Sequence, residues 1–525
     1  MSKRLLMLGA GIMQGVAIRN AKSRGWEVIV VDGNPRAPCA GLADRFEPID
    51  LKDSPSLVRF ALSLKEEGGL DGVFTAATDF SLSVAKIAEA CGLPGHGVEA
   101  AANASDKLLM RRRFAERGVP SPAFIGIDRA SADGAEGLLS DAGITFPLVV
   151  KPVDNMGARG CRKVSARGEL GAALDEAIGY SRSGMAIVEE YMDGPEFSLE
   201  ALVFDGEFHM TGFADRHIFF PPFFIEMGHT IPSGVDPRTM REIIEVFRRG
   251  AEALGLSHGA AKGDLKLTKR GPMVGEIAGR LSGGYMSGWT FPYSSGIDLT
   301  GAALDLAVGD RPISLDPVNS LVCAERAWIS IPGRVASVTG YESARSVPGV
   351  RDVFPRAEKG DRVVFPRNNV EKCGNCLAVA EDRDEACFAA EEACRRVFIR
   401  LEANDPETDA FLRVGDRNES GQNGNPPSAF EIGRDVLDAG KTGFSEESIG
   451  TARLPVPSNL VDYLDTSKDW QGRTLRDAIV AALTVEPALV TQLANTGSTV
   501  AMNCWRALLR GGIQGIVYAY DCQRT

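Results

Sequence analysis

A multidomain chain of mixed α/β and α+β class is what this sequence predicts, and three observations predict it. Its 525 residues are too many for one ordinary hydrophobic core and suggest three or four domains. Its opening segment alternates short apolar runs, glycine turns and helix-like stretches, the pattern of parallel βαβ units. Further on, the text becomes β-rich, then polar, then helical, so the architecture changes more than once along the chain.

The elements follow in order. Residues 4–9 form a short apolar run that stops at glycine, and Glu27-Val28-Ile29-Val30-Val31-Asp32 reads as a second strand ending in the turn cluster Asp32-Gly33-Asn34-Pro35. Gly72-Val73-Phe74-Thr75-Ala76 reads as another strand, so residues 1–105 are expected to form one Rossmann-like domain. A second, α+β body over 106–320 opens on a helix at 108–117, stopped by Gly118 and Pro120. It continues with strands at 147–151, 186–190 and through 197–213, a long helix at 237–254, and strands at 263–267 and 273–277. Residues 321–403 are expected to be β-rich with a closing helix at 385–398. Residues 404–428 read as a linker around Gly421-Gln422-Asn423-Gly424-Asn425-Pro426-Pro427. The tail, 429–525, is expected to be mostly helical, with signals at 474–494 (interrupted by Pro487) and at 498–509, capped by Gly511-Gly512.

Composition bounds the function. An apolar fraction of 44% and a charged fraction of 24% are those of a soluble globular protein, and no apolar run is long enough to span a bilayer. The opening Met-Ser-Lys-Arg-Leu-Leu-Met-Leu runs into Gly-Ala-Gly without a cleavage site, which makes it a buried strand rather than a signal peptide. A net charge of -12 argues against nucleic acid, whose phosphates must be neutralised by Lys and Arg. A small anionic ligand needs only a local basic pocket. Ten scattered cysteines make no disulfide framework, and Cys373-Gly374-Asn375-Cys376 lacks the second half of a zinc site. A cytoplasmic address fits these features.

Four constellations carry chemistry. Gly9-Ala10-Gly11-Ile12-Met13-Gln14-Gly15, between a strand and a helix, can approach a phosphate, with Asp32 available for a ribose; its spacing is GxGxxxG, so a dinucleotide site is the weaker reading. Lys107 follows Asp106 at a helix start, Lys151 ends an apolar strand, and Asp154-Asn155-Met156-Gly157-Ala158-Arg159-Gly160 follows as a small loop. Point charges and backbone donors of that kind suit a triphosphate. Glu189-Glu190-Tyr191-Met192 ends a strand and Glu196 follows it, an arrangement that suits adenine and ribose but is equally a strand and an acidic turn. Asp264 and Glu276 lie on adjacent strands joined by Thr268-Lys269-Arg270-Gly271-Pro272, where the two carboxylates can face each other and hold Mg2+. Arg280 and Ser282-Gly283-Gly284 follow and offer a guanidinium and backbone donors to an anion.

Read together, Ala104-Ser105-Asp106-Lys107-Leu108-Leu109-Met110-Arg111, the loop after Lys151, Glu189-Glu190-Tyr191-Met192 and Glu276-Ile277-Ala278-Gly279-Arg280 with Gly283-Gly284 resemble the ATP-grasp superfamily. The resemblance implies a pre-ATP-grasp domain, a grasp of two α+β subdomains with ATP between them, and a β-rich C-terminal subdomain. It assigns Lys107, Lys151 and Gly157 to the phosphates, Glu189, Glu190, Tyr191 and Met192 to adenine, Glu196 to ribose, and Asp264 and Glu276 to Mg2+ or Mn2+. It turns the loop at 9–15 into a substrate-side turn. Phe224-Ile225-Glu226-Met227-Gly228-His229 further resembles the substrate loop of L-amino-acid (dipeptide) ligases, with Glu226 and His229 on the amino-acid substrate.

The implied reaction is ligation of a small-molecule carboxylate to an amine through an acyl phosphate, with Lys107, Lys151 and Arg159 offsetting phosphate charge and Arg280, Gly283 and Gly284 at the acyl end. Superfamily habit implies a homodimer. Two features depart from the pattern: Asp264 stands where glutamate is commoner, and Ala278 stands where many members place asparagine, leaving the third metal ligand unassigned. A purine-pathway enzyme activating formate or bicarbonate, and a non-catalytic nucleotide-binding scaffold, are the alternative readings.

Overall fold

The structure, a computed structural model, describes residues 2–413, 426–432, 435–438, 443–496 and 498–524. The chain divides into two compact units, one made of Met1–Ile218, Gly228–Glu325 and Val379–Cys387, the other of Phe219–Met227, Arg326–Ala378 and Phe388–Thr525.

The first unit opens with β1 (Arg4–Leu8), α1 (Ile12–Ser23), β2 (Glu27–Val31), β3 (Arg45–Glu47), α2 (Ser54–Gly68), β4 (Gly72–Phe74), α3 (Ser81–Cys91) and α4 (Val98–Ser105). The four strands form a parallel sheet in the order β3-β2-β1-β4, as the βαβ pattern predicts. Beyond Arg4, strand β1 is apolar because both its faces are covered. Leu5 and Met7 pack with Ala17, Ile18 and Ala21 of α1, while Leu6 and Leu8 pack with Leu57 and Leu64 of α2 and Ile87 of α3.

The glycine turn after β1 is filled from within. Gly11 N donates to Gln14 Oε1 at 2.9 Å, and the Gln14 amide donates to the Ala76 carbonyl. Asp32, the candidate ribose acid, accepts instead from the Ala10 and Asn34 amides at 2.9 and 2.8 Å. The turn's own side chains therefore use the donors a pyrophosphate would need.

Next come α5 (Lys107–Arg117), β5 (Phe124–Asp128), α6 (Ala135–Asp141), β6 (Leu148–Pro152), β7 (Arg162–Val164), α7 (Leu170–Tyr180) and β8 (Met185–Glu190). Their strands make an antiparallel sheet in the order β5-β8-β6-β7. Leu148, Val150 and Val188 pack beneath Ala173, Leu174 and Ala177 of α7. Then follow β9 (Glu196–Phe204), β10 (Glu207–Phe219), β11 (Ile225–Ile231), α8 (Pro237–Leu254), β12 (Gly259–Thr268) and β13 (Gly271–Ala278).

The strand-like text over 197–213 forms a hairpin, β9 and β10. Asp205 and Gly206 turn it with φ of 53° and 77°, the left-handed pair that a two-residue hairpin turn demands. Helix α8 has the bounds its sequence predicts. Asp236 caps its start by accepting from the Arg238 and Thr239 amides at 3.0 and 3.1 Å, and Gly255 at φ 84° ends it. Its buried Ile243, Phe247 and Leu254 cover Leu199, Ala201 and Val274.

The second unit contains the antiparallel pairing of Val350–Pro355 with residues 374–378 and a three-stranded sheet of Arg362–Val363, Gly333–Thr339 and Phe398–Leu401. Burial pushes the Cys373 thiol up to about 12, which makes it an inert thiol at neutral pH. Within 404–428, Pro406–Arg413 is a helix whose start Asp405 caps through the Glu407 and Thr408 amides; residues 414–425 lie outside the described ones. The tail adds a β-hairpin, Phe444–Ile449 with Ala452–Pro457, to its helices Leu475–Val485, Leu489–Ala494 and Thr499–Asp521. Gly512, at φ 62° and ψ -149°, bends the last of these where the sequence suggested an end, and the chain resumes a helical path beyond it. Trp505, Leu508 and Ile516 pack there with Leu454, Leu460 and Ile479. Among the described residues no helix is long and apolar enough to cross a membrane.

Candidate active site

Strand β9 sends alternate residues to opposite faces. Phe197, Leu199 and Ala201 enter the core beneath α8, which leaves Glu196, Ser198 and Glu200 on the other face. Cross-strand partners share a face, and the register builds three rows from these residues. Glu196 lies between Arg216 of β10 and Lys266 of β12. Ser198 opposes Asp264, which opposes Glu276 of β13, and Glu200 opposes Lys262, which opposes Ala278. The hairpin thus places the two candidate metal acids side by side, as its sequence predicts.

The rows are charged and interlocked. Lys266 Nζ is 3.2 Å from Glu196 Oε2, and the Arg216 guanidinium bonds the same carboxylate. Arg216 also reaches Asp264 Oδ2 at 3.2 Å, where it is joined by the Lys262 ammonium, while Ser198 donates to Asp264 Oδ1 at 2.7 Å. Burial alone would raise the Asp264 carboxyl, but Arg216 and Lys262 outweigh it and hold it below the ordinary value. The same contest at Glu276 is won by Lys107, Lys151, Lys262 and Arg280, which hold that carboxyl down at about 2. Both acids are ionised at neutral pH.

Lys107 owes its position to Asp106, which caps α5 by accepting from the Leu108 and Leu109 amides at 2.8 and 3.0 Å. Its ammonium lies 3.3 Å from Glu276 Oε1 and donates to the Asn155 carbonyl at 2.9 Å. Burial works against that charge, yet Glu276 and Asp79 raise its pKa above the usual lysine value.

Lys151, penultimate in β6, bonds Glu189 Oε2 at 2.7 Å, and Arg111 Nε approaches Glu189 Oε1 at 2.8 Å. Glu189, 2% exposed, is therefore engaged by two cations. Arg111, fully buried, also donates to the Gly275 carbonyl at 2.6 Å. That carbonyl belongs to the bulge between Val274 and Glu276. One arginine thus holds both the partner of Lys151 and the residue before Glu276.

The loop after β6 is tied at its base. Asp154 accepts from Ser181 Oγ and from the Arg182 and Ser183 amides at 2.8–2.9 Å, and Asn155 Nδ2 donates to the Tyr180 carbonyl at 2.8 Å. Gly157, Ala158 and Gly160 have φ of 68°, 60° and 67°, and Arg159 Nη1 is 3.4 Å from the Met156 carbonyl. A Cβ on Gly160 would lie 2.9 Å from Tyr180 Cδ2, whereas one on Gly157 meets nothing closer than 4.0 Å. Gly160→Ala is expected to raise the KM for ATP about tenfold, a left-handed alanine costing roughly 1–2 kcal/mol, and Gly157→Ala to raise it less. Steady-state kinetics of phosphate release reads both, and equal effects would remove Tyr180 from the explanation.

At the other end of the face, Arg280 Nη2 bonds Asp79 Oδ1 at 3.0 Å and Nη1 donates to the Leu281 carbonyl at 3.1 Å. Behind Arg280 a cavity of about 60 Å³ is lined by Thr75, Ser81, His96, His258 and Leu281. Burial lowers His96 to about 4, so its imidazole is neutral there. Glu200 accepts from the Ser282 amide at 2.6 Å and from the Ser287 hydroxyl, which pins both ends of the turn carrying Gly283 and Gly284. Gly284 and Tyr285 close that turn at φ 57° and 63°.

The remaining candidates divide. Tyr191 has Lys163 Nζ 3.9 Å and Lys266 Nζ 5.5 Å from its ring centroid. Met192 lies beside Gly275, and Glu190 pairs with Arg270 at 2.7 Å on an exposed edge. His229 Nδ1 is 2.7 Å from the buried Glu325, while Glu226 belongs to the second unit, where Asn369 and Lys372 hold its backbone at 2.8 and 2.6 Å. Sequence reading gave no role to Asp79, Arg111, Ser198, Glu200, Arg216, Lys262 or Lys266. The period of β9 is the one signal that could have found Ser198 and Glu200.

The Asp264–Glu276 donor set fits a hard divalent cation: two ionised carboxylates at directly opposed positions. Among the described residues no cluster of three His, Cys, Asp or Glu side chains forms a fuller cage. Ions of the Mg2+ type complete their shell with water and phosphate oxygen.

The chain is similar to known proteins in sequence and in fold. A family model of the ATP-grasp domain matches residues 144–288, and one of the L-amino acid ligase C-terminal domain 2 matches residues 327–402. An uncharacterized protein of Sinorhizobium fredii is 28% identical over 66% of this chain and 71% of its own length. Carnosine synthase 1 of Gallus gallus is 27% identical over 76% of this chain, which spans only 45% of that relative. The crystal structure of an L-amino acid ligase from Bacillus licheniformis superposes with a TM-score of 0.68 at 22% identity, covering 76% of this chain and 99% of that one, a likeness of fold. The chain thus carries a match to the ATP-grasp domain over residues 144–288, followed by a match to the L-amino acid ligase C-terminal domain 2 over residues 327–402.

Proposed function

We propose that this chain joins a free α-amino acid to an amine, in the manner of an amino-acid or dipeptide ligase, activating the acid as an acyl phosphate at the expense of ATP. The observation that carries the reading is the Asp79–Arg280 pair, 3.0 Å apart beside Glu276 and the Gly283-Gly284 turn. An α-amino acid is itself a carboxylate and an ammonium a few bonds apart. It can exchange ion pairs with the two side chains, its carboxylate taking Arg280 and its ammonium taking Asp79, so that no charge is stranded on binding.

The three rows support an order along β9. Glu196 suits the ribose, with Tyr191 and Met192 toward adenine; Lys107, Lys151 and Arg159 suit the phosphates; Arg280 and the turn at Gly283 suit the acyl end. Mg2+ or Mn2+ on Asp264 and Glu276 would supply charge neutralisation at the phosphates. A carboxylate oxygen of the acid attacks the γ-phosphorus and ADP leaves. The amine nitrogen, as free base, then attacks the acyl carbon, the C–O bond to phosphate breaks and inorganic phosphate departs. The chain's part is orientation and a fixed field: Arg111 and Glu189 aim Lys151, and Glu200 fixes the turn that faces the developing anion.

A phosphate-release screen of amino acids, singly and in pairs with Mg-ATP, tests the reading. Equal ADP and phosphate are expected only with an acid and an amine present. Asp79→Asn should raise the KM of the acid at least tenfold with a smaller effect on kcat, a charge-assisted hydrogen bond being worth roughly 1.5–3 kcal/mol. Turnover with formate and a ribonucleotide amine, and none with amino acids, would replace this reading by the purine-pathway one.

A further inference from the structure

Two cations on one triphosphate need oxygen ligands on both flanks of the phosphates. Along β13 the next position on the face of Glu276 is Ala278, which offers a methyl group. Directly opposite Ala278 is Lys262. Its ammonium rests on Asp264 Oδ2, and on its other side Lys262 opposes Glu200, a carboxyl that burial raises and the Lys262 charge only partly offsets. Lys262 thus lies between two carboxylates on the site face, with little exposure of its own. A bridging metal ion would need that place and that sign of charge. Asp264 keeps room on Oδ1, where Ser198 donates one hydrogen bond, since a carboxylate oxygen has two lone pairs.

We infer that Lys262 stands in for a second divalent cation, so that the chain binds one such ion, between Asp264 and Glu276, and supplies the other positive charge from its own backbone-anchored side chain. The inference rests on the assignment of Asp264 and Glu276 as metal ligands proposed above. It explains how a strand with alanine at 278 serves the site: the missing donor and the added ammonium are cross-strand partners, and they replace each other. A lysine is a fixed monovalent charge, so the second charge needs no free cation and is present before nucleotide arrives.

The test counts ions. The full chain, saturated with a non-hydrolysable ATP analogue, is titrated with Mn2+ and read by electron paramagnetic resonance alongside equilibrium dialysis. One ion per chain is expected for the natural sequence, with the six-line spectrum of an isolated Mn2+. The Lys262→Met, Ala278→Asn double variant should bind two, with lines broadened by their mutual coupling. Two ions on the natural chain, or one on a folded double variant, would overturn the inference and leave the metal assignment standing. A single ion held no more tightly by the nucleotide-loaded chain than by the free analogue would overturn the metal assignment, and the inference with it. The count on the natural chain stands whether or not the variant folds.

Discussion

Glu276→Gln should lower the rate of ADP release, with acid and amine both present, by about two to three orders of magnitude. Glutamine keeps the shape and loses the charge, and charge is what this position supplies. The four cations around it hold the carboxyl at about 2 against an ordinary 4.5. The sign follows for a depressed acid: the stability it contributes is fully present above 4.5, and it is lost as pH falls through about 2. The acid limb of the rate profile above pH 5 therefore belongs to another group. A coupled ADP assay measures the loss, and a melting curve close to that of the natural chain shows that it is chemical. Turnover within tenfold of the natural chain would remove Glu276 from the site.

Arg111→Met should destabilise the first unit by about 3–5 kcal/mol, the usual cost of stranding one partner of a buried ion pair. Glu189, 2% exposed, would keep only Lys151, and the Gly275 carbonyl would lose its donor. Adding Glu189→Leu should recover a substantial part of the loss, because the stranded charge is gone. Urea unfolding of the three proteins side by side reads the effect. A midpoint that does not move in Arg111→Met would mean that water reaches Glu189 in the folded chain. Since Arg111 touches neither end of the proposed reaction, its second signature is a raised KM for ATP as Lys151 loses its aim.

The fold of the first unit was legible where local signals decide it. The apolar run at 4–8 is buried on both faces, and Asp236-Pro237 with Gly255 brackets α8 at both ends. The facing of Asp264 and Glu276 was legible because the Gly271-Pro272 turn sets the register of a short hairpin. Glu189 shows where local text stops. Its side chain is engaged by Arg111 from a helix and by Lys151 from another strand. No window of sequence contains those partners. Asp79 was missed for the same reason: as one turn aspartate after β4 it carries no signal until Arg280 is brought to 3.0 Å. The hairpin at Asp205-Gly206, by contrast, carries its turn dipeptide inside the strand-like text of 197–213.

Strand β9 writes two texts in one line. Its odd positions are the oily underside of α8, and its even positions from 196 to 200 are the charged face, while Leu202 and Phe204 join a second apolar cluster. A substitution can edit one text and spare the other. A one-residue insertion or deletion cannot, because pleating exchanges the two sets wholesale. It would push Glu196 and Glu200 into the apolar layer and turn Phe197 and Leu199 onto the charged face. Such a frameshift in space would cost the fold and the chemistry together. Length variation among relatives should therefore be tolerated in the turns that flank β9 and purged within it.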